Sequence, residues 1–218
     1  MKRDDERNSA VRPNLPYQDH YELARDAAIE RLRQRFDPDR LARLGAELRQ
    51  EGAIELPTLC WRFAIGLEPF SMVLLPGDGQ VSIVWQILAL DYLGGEPAGG
   101  PARFLSFAEF PQVRSYLKAF EGRVTGRLSR GVGGQEETFV RAAERCLGAR
   151  GSGSPLSYLF RLFPRFELQV VRHEGDEDFP PSCNVLFPDN ALRVLSAESV
   201  IVAAERLVSS LEGKSPSG

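Results

Sequence analysis

Histidine is close to absent from this chain. Among 218 residues there are two, His20 and His173. Catalysis by a histidine pair or triad is excluded by supply, and so is a histidine-rich zinc site. Cysteine is scarce too. Cys60, Cys146 and Cys183 are odd in number and far apart, with no Cys-x-x-Cys spacing, so neither a disulfide framework nor a thiolate metal motif is written here. Each lies among apolar neighbours, where a free thiol behaves as a small hydrophobe. A reducing, cytoplasmic setting is the simplest reading. Positive charge is not in excess: 27 Lys and Arg face 30 Asp and Glu, a net charge of −3. Nothing in that balance attracts nucleic acid or an anionic membrane. Long apolar runs are missing as well. The longest, from Val81 to Leu90, is broken by Ser82 and Gln86 and is too short to span a bilayer. The opening Met1-Lys2-Arg3-Asp4-Asp5-Glu6-Arg7 has no apolar h-region, so no secretory leader is expected.

What is present is the composition of an ordinary folded protein, 43% hydrophobic and 26% charged. That is enough to bury a core without metal or disulfide staples. Residues 1–16 read as a flexible lead-in, 17–212 as one domain and 213–218 as a disordered tail. From Tyr17, the residues Tyr21, Ala24, Ala28, Leu32 and Phe36 recur at helical spacing. Asp37 is placed to cap a second helix with Pro38 at its first position, and Leu41, Leu44 and Leu48 form its apolar face up to Gly52. Short apolar runs, Thr58 to Ile65 and Phe70 to Leu75, read as strands. The segment from Val81 to Leu93 is apolar almost all round and reads as a buried central helix. A connector with Phe104, Phe107 and Phe110 leads to a helix after Pro111. Another helix ends at Gly148. Strands are expected over Leu156 to Phe163 and Phe166 to Val171, the second alternating Phe166, Leu168 and Val170 with Glu167 and Gln169. Cys183 to Phe187 is a further apolar segment, and Ser196 caps a last helix. The fold class is α+β: an antiparallel sheet packed against several helices, with helices at both chain ends.

Charge gathers where the last strands end. Glu174, Asp176, Glu177 and Asp178 follow His173, and Phe179, Pro180 and Pro181 close the turn. These acids are hard oxygen ligands, but the glycine is misplaced for an EF-hand and no bidentate Glu closes a twelve-residue loop. A solvated acidic turn is the plainer reading. His173 is either a surface strand-end histidine or a general acid/base or ligand anchor. Arg161 and Arg165 flank Pro164. Planar guanidinium groups there suit a carboxylate or phosphate ligand, or the turn's own acids. The glycine runs Gly131 to Gly134 and Gly148 to Gly153 follow helices rather than strands, so they lack the context that aims backbone N–H groups at phosphate. The aromatics Trp61, Trp85, Phe107, Phe110, Tyr116 and Phe120 read first as core and second as pocket lining.

Several segments together carry a resemblance. They are Leu88-Ala89-Leu90-Asp91-Tyr92-Leu93-Gly94-Gly95, Phe104 to Phe110, Leu162-Phe163-Pro164-Arg165, the acidic turn from Glu174 to Pro180, Val185-Leu186-Phe187, and Leu195-Ser196-Ala197-Glu198. In this order they resemble the family of domain of unknown function 3786, found largely in anaerobic bacteria and archaea. The resemblance runs from about Tyr17 to Leu211 and supplies no established activity. Fusion of some members to iron–sulfur modules implies a setting in anaerobic redox or corrinoid metabolism. This chain lacks the clustered cysteines of such a module. It also has His173 where an aromatic is expected and Pro188 where an Asp is usual.

The leading expectation is a cytoplasmic, non-catalytic protein that binds a small molecule or a partner protein, with no nucleic-acid or membrane role. Its site would be built from Arg161, Arg165, His173, Glu174, Asp176 and Glu177. One alternative, implied by the resemblance, is an enzyme or maturation factor acting on a tetrapyrrole or corrinoid. Another is a structural interaction module. No cofactor is named by the residues themselves.

Overall fold

The computed structural model describes residues 16–97, 99–100, 103–154 and 156–217. The expected lead-in falls outside the described residues except for Pro16. The chain runs α1 (Pro16–Gln34), α2 (Pro38–Arg43), β1 (Glu47–Leu48), β2 (Ile54–Thr58), β3 (Trp61–Leu67), β4 (Phe70–Leu75) and α3 (Ile83–Gly94). Then come β5 (Phe104–Ser106), a 3-10 turn over Pro111–Tyr116, α4 (Leu117–Phe120), a π-helical turn over Glu121–Thr125 and α5 (Gly126–Arg130). The chain finishes with α6 (Glu136–Arg145), β6 (Ala149–Arg150), β7 (Ser157–Phe163), β8 (Phe166–His173), β9 (Ser182–Pro188), α7 (Ala191–Val194) and α8 (Ala197–Leu211). The architecture is α+β, as expected, but the strands divide between two antiparallel sheets. One is a meander in the order β1-β2-β3-β4, and the other has the order β5-β9-β8-β7-β6. A contiguous apolar core joins them, drawing on residues from Ala28 in α1 to Leu211 in α8.

Local chemistry sets the boundaries. Asp37 caps α2 by accepting from the Asp39 N–H at 2.9 Å. That helix does not reach Leu48, as its leucine spacing had indicated. Gly45 takes φ +83°, Gly45 N donates to Ala42 O and Ala46 N donates to Leu41 O. This pair of bonds is a Schellman motif, which turns the chain out of the helix. Leu48 therefore lies in β1, exposed. The expected strand from Thr58 to Ile65 is likewise two strands. Thr58 stands opposite Trp61, so Leu59 and Cys60 form a two-residue hairpin turn between β2 and β3. Phe104–Ser106, read as a connector, is β5 and pairs with β9.

In β8 the buried residues Phe166, Leu168 and Val170 alternate as expected, but Gln169 is also buried. Its amide Nε2 donates to Ser157 Oγ at 2.7 Å, which is how an inward polar group is tolerated. Ser196 caps α8 through the Ser199 N–H. After α8, Gly213 (φ +88°) turns the chain in a second Schellman motif. Residues 213–217 then run against the body rather than away from it. Pro216 is buried and its carbonyl accepts from Ser82 N at 2.9 Å.

The end of α8 is held by charge. Arg127 Nε donates to Glu212 Oε1 at 2.7 Å, its Nη2 donates to Oε2, and Lys214 Nζ lies 3.1 Å from Oε2. These cations, Arg127 foremost, hold the Glu212 carboxyl below the usual glutamate value. A depressed folded pKa stabilises the fold fully above the unfolded value of about 4.3, and that contribution is lost as pH falls through the folded pKa. Glu212→Gln should therefore lose about 2 kcal/mol at neutral pH. The gap to wild type should close in acid. Urea midpoints at neutral pH and near pH 3 check this; equal losses at both would remove the role.

Candidate functional site

Strand β8 decides the fate of the sequence-predicted residues. Arg161 and Arg165 lie at its start, while His173, Glu174, Asp176 and Glu177 lie at its end. Eight residues at about 3.3 Å each set the two groups roughly 25 Å apart. The arginines have other partners. Arg161 Nε donates to Glu167 Oε1 at 3.2 Å across the β7–β8 ladder, and Arg165 Nε donates to Arg43 O at 3.3 Å. Arg172, the last buried side chain before the turn, points inward and donates to Gly133 O at 2.9 Å.

At the other end the acids are solvated. Glu174, Asp176, Glu177 and Asp178 are all exposed. Asp176 builds the turn itself: its Oδ1 accepts from Asp178 N at 2.9 Å and Phe179 N at 2.8 Å, and its N–H donates to Phe179 O. Gly175 is required because a Cβ would lie 2.7 Å from Phe179 O and from Pro181 Cδ. Phe179 does not pin the turn; its side chain projects into solvent at 70% exposure. His173 is exposed, with Nε2 3.4 Å from Asn184 Nδ2, and it borders an open groove of about 370 Å³ with Ser152, Ser154 and Gln169. Among the described residues no cluster of three or more His, Cys, Asp or Glu could hold a metal. No described helix is long and apolar enough to cross a membrane.

The larger concavity is elsewhere, among helices, and measures about 630 Å³. Four stretches line it with the same spacing. α1 contributes Ala24, Ala27 and Arg31, and α3 contributes Val84, Ile87 and Asp91. The segment around α4 contributes Tyr116, Ala119 and Arg123, and α8 contributes Ser199, Val202 and Arg206. Steps of three and four residues keep side chains on one helical face. Each stretch thus presents a wall that ends in a charge. His20, Tyr21, Ser196, Glu198, Ile201 and Glu205 complete the lining. The π-helical turn carries Arg123, and such turns occur often at functional sites.

Two polar groups are already neutralised. Asp91 accepts from Arg31 Nη2 and from Ser199 Oγ, both at 2.7 Å, and Ser196 Oγ donates to Ser199 Oγ at 3.0 Å. Arg123 Nη1 stands 3.6 Å from Glu205 Oε1. Arg206 differs. Its Nε is buried without a hydrogen-bond partner among the described residues, as is Glu205 Oε1, which has only the ion pair with Arg123. Burial holds the Arg206 pKa below the usual arginine value, with Glu205 acting in the opposite sense. A guanidinium that has lost water without gaining a full set of acceptors is costly. An acceptor brought by a ligand would offset that cost. The aromatics read first as core and second as pocket lining are mostly core. Phe107 stacks on Phe120 at 4.2 Å and both contact Phe187, while Trp85 meets Phe63 edge-on. Only Tyr116 of that group lines the cleft. The repeated three-and-four spacing ending in a charge was the signal for this site, but which helices converge is not a local property.

No curated protein and no solved structure matches the chain. One family model does, over residues 25–210, which takes in the cleft lining except His20, Tyr21 and Ala24, and the whole acidic turn. The chain belongs to the family described as domain of unknown function (DUF3786).

Proposed function

We propose that the protein binds a small organic molecule in the four-helix cleft. The ligand has an apolar body and a hydrogen-bond-accepting end, such as a carboxylate. The observation that supports this reading most directly is Arg206, desolvated and under-partnered on the wall of a cleft whose volume suits such ligands. The alanine, valine and isoleucine walls would take the apolar body, and Tyr116 the rim. The three unbonded cysteines are in keeping with a cytoplasmic setting.

The test is a thermal-shift screen of small carboxylates, with haem and cobalamin included, on wild type and Arg206→Met. A ligand that binds only the native state at 100 times its Kd adds about 2.7 kcal/mol, which for a chain of this size is a Tm rise of roughly 5–10 °C. Losing a hydrogen bond to a charged group should weaken binding about ten- to a hundredfold. An equal response from Arg206→Met, with Ala119→Trp also binding normally, would count against the cleft. A spectral change with haem or cobalamin would favour the tetrapyrrole alternative instead.

A second site at the acidic turn rests on His173 and its groove, with Glu174 and Glu177 free in solvent to meet a basic partner. Arg161 and Arg165 do not belong with it.

A further inference from the structure

The two cysteines that the sequence places far apart meet in the fold. Cys60 lies in the two-residue turn between β2 and β3, and Cys146 is the C-terminal cap of α6. Both positions abut neighbouring residues of β7, with Leu59 N donating to Arg161 O at 3.1 Å and Gly148 packed against the Phe160 ring, and the two thiols are within interaction range of each other. Cys60 is partly exposed and Cys146 is buried.

The backbone at both positions is unusual. Among the described residues, the non-glycine residues with positive φ are Leu59 (51°) and Leu147 (57°). One immediately precedes Cys60 and the other immediately follows Cys146. Leu59 occupies a tight hairpin position that normally takes Asn or Gly. It is held there by Leu59 N donating to Arg161 O at 3.1 Å. Leu147 occupies the left-handed position of a Schellman motif, with Leu147 N bonded to Glu144 O and Gly148 N to Ala143 O. A bulky side chain in this region is disfavoured, and such strain concentrates at functional positions. Here it brackets both members of one thiol pair.

The pair is also asymmetric. The Cys146 thiol, by hydrogen bonding, draws the Cys60 pKa down to about 7 against the effect of burial. The Cys146 thiol is pushed up by that same bond and by burial. Near neutral pH the thiolate is therefore on Cys60, the more accessible sulfur. Cys183 provides the contrast: buried, away from the pair, and raised to about 11 by burial.

We propose that Cys60 and Cys146 are a redox-active dithiol that closes to a disulfide on reaction with a small disulfide such as oxidised glutathione. The Cys60 thiolate attacks one sulfur of the glutathione disulfide. A Cys60–glutathione bond forms, the glutathione S–S bond breaks, and one glutathione leaves, taking up a proton. Cys146 then gives its proton to solvent and attacks Cys60 Sγ, forming the Cys60–Cys146 bond as the Cys60–glutathione bond breaks, and the second glutathione leaves and takes up a proton. Two protein thiols are oxidised and one glutathione disulfide is reduced to two thiols. The product ties the first sheet's β2–β3 hairpin to the end of α6.

The experiment equilibrates the native protein in glutathione buffers from reducing to oxidising, followed by alkylation under denaturing conditions and peptide mass mapping. The expected result is joint loss of alkylation at Cys60 and Cys146, a cross-linked peptide pair, and Cys183 alkylated throughout. Cys146→Ser should stop at a stable glutathione adduct on Cys60. Cys60→Ser should take up no glutathione at Cys146. Circular dichroism confirms that each variant is folded, and the wild-type cross-link stands as a readout that needs no variant. Full alkylation of both cysteines in the most oxidising buffer, or a Cys60 adduct in wild type that never resolves, would overturn the proposal.

Discussion

Replacing Tyr92 with alanine should cost about 3–5 kcal/mol, the range for deleting a buried aromatic ring. Against a typical total of roughly 5–15 kcal/mol, that is about a fifth of the stability or more. Tyr92 is fully buried on α3 and stacks on Phe163 of β7, ring centroids 4.5 Å apart and 18° from parallel. Its hydroxyl donates to Leu44 O at 2.5 Å, just after α2, and accepts from Arg165 N at 3.0 Å, in the turn between β7 and β8. Burial pushes the phenol pKa up, so the group remains a donor across the usual pH range. One side chain thus joins a helix end, the central helix and the second sheet. Tyr92→Phe keeps the ring and removes the hydroxyl. It strands the Leu44 carbonyl and the Arg165 N–H, at about 1–3 kcal/mol. Urea midpoints for both variants separate ring from hydroxyl. A Tyr92→Ala loss under about 1 kcal/mol would mean that the joint carries no weight.

At the same joint, Gly45→Ala should be nearly as damaging, for a different reason. Gly45 has φ +83°, and a Cβ there would come 2.4 Å from Pro164 Cβ and 3.1 Å from its Cγ. The left-handed backbone costs an L-residue about 1–2 kcal/mol. Overpacking against a rigid proline ring adds about 1–3 kcal/mol. Gly52 supplies the control: its φ is +79°, yet nothing lies within 4 Å of its Cβ position. Gly52→Ala should show the backbone cost alone. The difference between the two variants in thermal or urea unfolding therefore isolates the contact with Pro164, and equal losses would show that Pro164 yields at no cost.

This pair of glycines illustrates what could be read before the fold was known. The leucines at 41, 44 and 48 fit one helix ending at Gly52, yet the chain leaves at Gly45, where Ala46 can bond back to Leu41. Spacing alone does not choose between two glycines; contact with Pro164 from the distant β7–β8 turn does. Strong local signals served well. Asp37 and Ser196 cap as their sequence positions indicate, and the central apolar helix and strands β7 and β8 lie where periodicity put them, while the apolar segment Cys183 to Phe187 is strand β9. No local signal announces Leu59 at positive φ, since leucine rarely goes there. The hairpin at Leu59–Cys60 was therefore read as continuous strand. The acidic turn was legible as charge, but grouping it with Arg161 and Arg165 was misleading. Its arginine companions are neighbours in sequence, and an extended strand carries neighbours apart. The cleft was hidden for the opposite reason. Ala27, Ile87, Ala119 and Val202 are remote in sequence, and only helix packing brings them together.

Every residue lining that cleft comes from a helix, a helical turn or the cap of one, and none from a strand. The ladders and the joint at Tyr92 can therefore remain unchanged while wall residues such as Ala24, Ala119 or Val202 are exchanged. A change there costs a few side-chain contacts at a solvent-facing surface rather than a sheet register. The cleft can then be reshaped one helical face at a time. Side-chain exchange along these walls would leave the scaffold as it is.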